Sequence, residues 1–380
     1  MDMISRPLVH PALRIGCLTV SFASACASEP GTSATFGEAS DSSTTGTAGA
    51  AGTTESGSGT SGEIQPTTSG TTDDTAEPTT DGEASTTDGE ASTTDGEAST
   101  TGGEAPAIPF VCPGGAIGSG MNSIDVGGAS RTFLADFPAD VDRPLGVVFS
   151  WHGYGDSAMN FRAAVGLDPD ADPALPVVVI TPEDSGLPPP LGLDWDIAGG
   201  AAPDNVDLAL FEAVLGCLDA QYEIDAARIY SFGFSAGSVM TNLLHSSYPE
   251  LITTIVSESG AWFNDPSQAD LVNIFDIDWD WPALDPAVGG TVLLTHGGPT
   301  DVTVLNILDL EASAQAALPF LAAGGRTVVD CAHMQGHTLH PEVPPELIGV
   351  FLSAHRAGQP SPYLSDGLEG YPASCTLRVP

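Results

Sequence analysis

The chain has 380 residues and a formal net charge of −41 at pH 7; its nine basic residues are all arginine. Residues 108–380 alone carry 34 acidic side chains against 7 arginines, a balance of −27, so the charge is not confined to the N-terminal third. A field of that sign repels phosphate backbones and excludes nucleic acid as a partner.

Arg6 and Arg14 precede an apolar run over residues 15–25 that ends at Cys26. A basic start, a short apolar stretch and small residues before a cut predict an export signal over residues 1–26, too short to persist as a membrane span. Ala23-Ser24-Ala25-Cys26 resembles the lipobox of bacterial lipoproteins, with Ala23 where Leu is commonest. Cys26 is therefore the candidate for lipidation and for membrane attachment, with plain secretion as the alternative. Residues 27–107 are rich in Ser, Thr, Gly, Asp and Glu and contain TTDGEAS repeats starting at Thr79, Thr86 and Thr93. The seven-residue period has no apolar positions to bury, which excludes a coiled coil and predicts a disordered, solvated tether. Its threonines are also possible O-glycan acceptors.

Residues 108–380 are left for one domain. Its cysteines are Cys112, Cys217, Cys331 and Cys375. An even number in an exported chain predicts two disulfides, with three pairings open. No pair has the close spacing of a zinc site, and no metal or organic cofactor is expected.

In chain order, short apolar runs predict buried strands over residues 145–151, 177–181, 228–234, 252–257, 291–295 and 326–329. Helices are expected over residues 158–165, 206–222, 236–246, 308–323 and 345–356; in 206–218 apolar residues recur at three and four, the pattern of an amphipathic helix. Strand–helix alternation from Arg131 onward predicts an α/β fold, a mainly parallel sheet covered on both faces.

The first strand runs into His152-Gly153-Tyr154-Gly155. Its backbone is placed to donate to an oxyanion, through the amide of Tyr154 together with that of Ala236. His152 is read as a structural brace for this loop rather than a base. Gly233-Phe234-Ser235-Ala236-Gly237 forms G-x-S-x-G between a strand and a helix, the context of a nucleophile elbow, which makes Ser235 the candidate nucleophile. The acid is expected after the strand at 291–295, at Asp301, with Asp309 and Asp330 as competitors: one inside a helix, the other still in its strand. The base is expected among His333, His337 and His340; Gly336 favours His337, and Pro341 restricts His340 to extended backbone.

WHGYG, LDAQYEIDAARIYSFGFSAGS, LLTHGGPTD and GHTLHP, in that order, resemble the polyhydroxybutyrate depolymerase and feruloyl esterase family of secreted α/β-hydrolases, over residues 145–356. The resemblance implies an α/β-hydrolase fold, hydrolysis of carboxylic esters of a polymer, polysaccharide or small molecule, and Ser235, Asp301 and His337 as nucleophile, acid and base. Tyr154 and Phe234 stand where the family often has Cys, and GHTLHP is one residue longer than usual; both departures bear on substrate. A serine peptidase of the same fold and an inactive binding module are the rival readings. Residues 261–289, with Trp262, Phe263, Phe275, Trp279 and Trp281, fall where a small cap is expected, either lining a pocket or burying its own aromatics. Asp276, Asp278 and Asp280 imitate a calcium loop without its glycine or its final Glu, so no ion is expected there.

Overall fold

A computed structural model describes residues 106–186, 194–200, 204–268, 279–303 and 308–380. The expected export signal, Cys26 and residues 27–105 of the expected tether lie outside them, as do Phe275, Asp276 and Asp278 of the expected cap. No described helix is long and apolar enough to cross a membrane.

The strands are β1 (Gly120–Val126), β2 (Ala129–Asp136), β3 (Leu145–Trp151), β4 (Val177–Pro182), β5 (Ile224–Phe234), β6 (Thr254–Glu258), β7 (Gly290–His296), β8 (Arg326–Ala332) and β9 (Cys375–Arg378). They form one sheet in the order β1-β2-β4-β3-β5-β6-β7-β8-β9. From β4 to β8 every pairing is parallel, and β1, β2 and β9 add antiparallel edges. The helices are α1 (Ala158–Val165), α2 (Val206–Gln221), α3 (Ala236–Ser247), α4 (Leu310–Ala323), α5 (Pro345–Ser353) and α6 (Tyr363–Asp366).

Period-two alternation along β3 sends Leu145, Val147, Phe149 and Trp151 to one face, packed with α2, α3 and α4, and Val148 to the other, with α1, α5 and α6. Both faces are covered, so β3 is buried at all seven positions.

Helix α2 departs from the amphipathic expectation. Leu208, Leu210, Phe211 and every residue from Ala213 to Leu218 are buried, which leaves no broad wet face. The segment before β1 lies over the outer side. Phe110 meets Phe211 and Tyr248 edge-on, and the Phe110 backbone approaches so closely that a Cβ on Gly216 would stand 3.0 Å from it. Cys112 is bonded to Cys217 there. The second disulfide, Cys331–Cys375, links residues paired directly across β8 and β9. These two pairings resolve the three that composition left open.

Candidate active site

Strand β5 ends at the turn that carries Ser235. The residue sits at φ 56°, a left-handed conformation that costs energy for a side-chain-bearing residue and is held here by packing. Its amide donates to the Glu258 carbonyl at the end of β6. A Cβ on Gly233 would overlap the Gly237 carbonyl, and one on Gly237 would overlap the Trp151 and His152 carbonyls. Both glycines are therefore required by close backbone approach, and the second brings α3 against the end of β3.

The Ser235 hydroxyl makes no capping bond to α3; its Oγ lies 2.8 Å from His337 Nε2. His337 Nδ1 in turn lies 2.8 Å from Asp301 Oδ1. Asp301, fully buried, follows β7, and its Oδ2 accepts from the Ser259 hydroxyl and the Gly297 amide, each at 2.8 Å. Burial alone raises a carboxyl pKa; hydrogen bonds from His337, Gly297 and Ser259 outweigh it and hold Asp301 below the usual range. His337 follows Gly336, which adopts φ 75° and lets the chain turn back over the elbow.

The competing side chains are engaged elsewhere. Asp309 stands just before α4 rather than within it and caps it, accepting from the Ala312 amide. Asp330 lies within β8 and pairs with His296 and Arg378. His333 and His340 lie together, ring centroids 4.8 Å apart, and neither contacts Ser235 among the described residues. His152 is buried against Trp195 with its Nδ1 on the Gly153 carbonyl, and makes no hydrogen bond to Ser235 among the described residues.

The two amides singled out for an oxyanion are free to donate. Ala236 opens α3, where an N–H has no carbonyl within its own helix. Tyr154 makes no backbone hydrogen bond through its N–H among the described residues. Trp195 Nε1 donates to the His152 carbonyl at 3.1 Å and steadies the loop between them.

Two contacts had no sequence signal. Ser259, at φ 48°, holds Asp301. Phe234 stacks on the His337 ring, with centroids 4.9 Å apart. The described cap aromatics bury themselves: Trp262 and Trp281 are closed from solvent, and Phe263 packs on Trp279 and Trp281.

Buried histidines around this framework give stability a pH dependence. His245 donates from Nδ1 to the Ile252 carbonyl and accepts at Nε2 from Arg326, which keeps it neutral; burial, then the Arg326 charge, lower its pKa to about 3. Burial, reinforced at His340 by His333, lowers both His340 and His355 to about 4. Unfolded histidines bind protons below roughly pH 6.5. The folded chain resists, so stability present above that pH is lost as pH falls from 6.5 toward 4. Glu258 opposes this: burial raises it to about 8, and its contribution fades as pH rises through 8. Burial lowers His333 as well, whereas at His296 burial is outweighed by hydrogen bonds to Asp330 and Glu311 that raise it, so that it sides with Glu258. With four histidines lowered against His296 and Glu258 raised, Tm is expected to fall between pH 6.5 and 4.5; a flat or rising Tm across that interval contradicts these assignments.

No protein-family profile matches the chain. Feruloyl esterase D of Neurospora crassa is 27% identical over 169 residues, 41% of this chain and 57% of that one. Feruloyl esterase B of the same organism is 29% identical over 116 residues, 30% of this chain and 38% of that one. The chain thus spans about half the length, or less, of these curated relatives. Among solved structures, native pOPH superposes with a TM-score of 0.56 at 22% identity, covering 71% of this chain and 97% of that one. Native sOPH gives 0.54 at 19% identity over 71% and 97%. The fold is that of the α/β-hydrolases. Within that fold the sequence is similar to these two feruloyl esterases over the stretches they share.

Proposed function

We propose that the protein is an exported serine esterase that hydrolyses carboxylic esters through an acyl-enzyme. The observation that carries this reading is the unbroken hydrogen-bond chain Ser235 Oγ–His337 Nε2, His337 Nδ1–Asp301 Oδ1. His337 takes the Ser235 proton as Oγ attacks the ester carbonyl, and returns it to the departing alkoxide. Water then repeats the sequence on the acyl-serine. Asp301, buried and held anionic, fixes the His337 tautomer and stabilises the imidazolium. The amides of Tyr154 and Ala236 receive the tetrahedral oxyanion, a contribution of about 3–4 kcal/mol for a well-placed donor.

Two disulfides support export to an oxidising compartment. Lipidation at Cys26 and the residue 27–107 tether remain the proposed mode of display. The feruloyl esterase relatives support esters of hydroxycinnamic acids as the substrate class, with polyesters and acetylated polysaccharides as the next arms of the test. The exposed Tyr154 ring beside the elbow supplies an aromatic surface for such an acyl group. Hydrolysis of p-nitrophenyl acetate, methyl ferulate, polyhydroxybutyrate suspension and a peptide p-nitroanilide separates the readings. The expected result is turnover of both soluble esters, with methyl ferulate having the higher kcat/KM. Cleavage of the anilide alone supports a peptidase, and inertness toward all four supports a binding module.

A further inference from the structure

His152 closes the loop side of β3 and is fully buried. Its Nδ1 lies 2.9 Å from the Gly153 carbonyl, so Nδ1 carries the proton and donates. Nε2 is then a lone-pair nitrogen, buried and without a hydrogen-bond partner among the described residues. A buried acceptor left so is costly unless something occupies its lone pair.

Glu183 and Asp184 follow β4, the sheet neighbour of β3. One carboxylate oxygen from each and one ring nitrogen of His152 all lie within 4.8 Å of one another. Each acid commits one oxygen to a main-chain amide, Glu183 to Ala158 and Asp184 to Gly186, and keeps the other. Asp194 adds a third carboxylate at the same loop, bonded to the Gly155 amide. Burial, opposed by that hydrogen bond, and then the Asp184 charge push its pKa up. None of these three acids pairs with a basic side chain among the described residues; Arg131 reaches only the Glu183 carbonyl and spends its charge on Asp207.

We propose that His152, Glu183 and Asp184 form a site for one divalent cation of the zinc class, clamping the ends of β3 and β4 beneath the Tyr154 loop. A neutral imidazole with two carboxylates suits zinc and its first-row neighbours, whereas calcium and magnesium take oxygen ligands. Zinc–ligand distances of about 2.0–2.2 Å require the donors to close up slightly, which the more exposed Asp184 and half-exposed Glu183 side chains accommodate by rotation. The ion neutralises a local excess of negative charge that no Lys or Arg side chain offsets. Such a site stands or falls independently of the esterase reading.

The test uses the full chain, treated with chelator, desalted, and titrated with Zn2+ in 150 mM salt with excess Mg2+. Calorimetry is expected to count one Zn2+ per chain, and Tm to rise by about 5 °C or more at a hundredfold excess over Kd. The 15N resonance of His152 Nε2 is expected to shift on adding Zn2+. The Glu183→Gln/Asp184→Asn double variant, altered only at solvent-accessible side chains, is expected to keep the metal-free Tm while losing at least about tenfold in affinity. Binding of equal strength in parent and double variant, no stoichiometric binding, or an unmoved Nε2 resonance each overturns the proposal.

Discussion

Ser235→Ala is expected to lower kcat/KM on any soluble ester substrate by about 10⁴-fold or more while leaving Tm within about 2 °C of the parent. The change removes one oxygen whose hydrogen bond runs to His337 and nowhere else among the described contacts, so the fold loses little. What it removes from the proposed reaction is the atom assigned to form the acyl bond. The Tyr154 and Ala236 amides survive the substitution, so a residual acceleration over water remains. A variant that keeps a tenth of parental activity on every ester removes Ser235 from the nucleophile's role.

The second large effect is expected at His337. His337→Ala is expected to cost at least about 10³-fold in kcat/KM, whereas His333→Ala and His340→Ala stay within about tenfold. The three histidines lie within eight residues of one another, yet only His337 bridges Ser235 and Asp301. His333 and His340 are buried as neutral side chains, their pKa values lowered by burial. Their substitution is expected in Tm rather than in turnover. If His340→Ala is the inactive variant and His337→Ala remains active, the base lies three residues further on and the observed hydrogen bonds are not those of the reacting enzyme.

The parallel interior of the sheet was legible in the sequence because strands covered on both faces read as unbroken apolar runs; residues 145–151 are the clearest case. Strands β1 and β9 gave no such run. β1 buries only Ile124, and β9 alternates half-buried with exposed positions, so neither carries a run of buried apolar side chains. The depth of α2 was missed because its outer side is covered by a segment about a hundred residues earlier, a tertiary contact that no local period carries. Around the elbow, the order Ser, Asp, His and the two glycines were readable, since the strand–turn–helix context demands them. Ser259 and Phe234 were not readable. A hydroxyl one residue past β6 gains meaning only when the sheet brings β7 alongside and sets Asp301 against it. The stacking of Phe234 on His337 joins residues 103 positions apart across two loops.

The central claim is that the Ser235 hydroxyl is a nucleophile activated by its neighbours, and covalent capture addresses it most directly. A fluorophosphonate reacts with an activated serine and with few unactivated ones, because attack on phosphorus needs the same proton transfer and oxyanion donors as attack on an ester. Incubated with the intact chain and followed by peptide mass spectrometry, the reagent is expected to add once per molecule, at Ser235, with activity falling in step with labelling. Loss of His337 is expected to slow that labelling by about 10³-fold. Labelling that leaves Ser235 unmodified while esterase activity disappears, or activity that persists with Ser235 fully modified, contradicts the account.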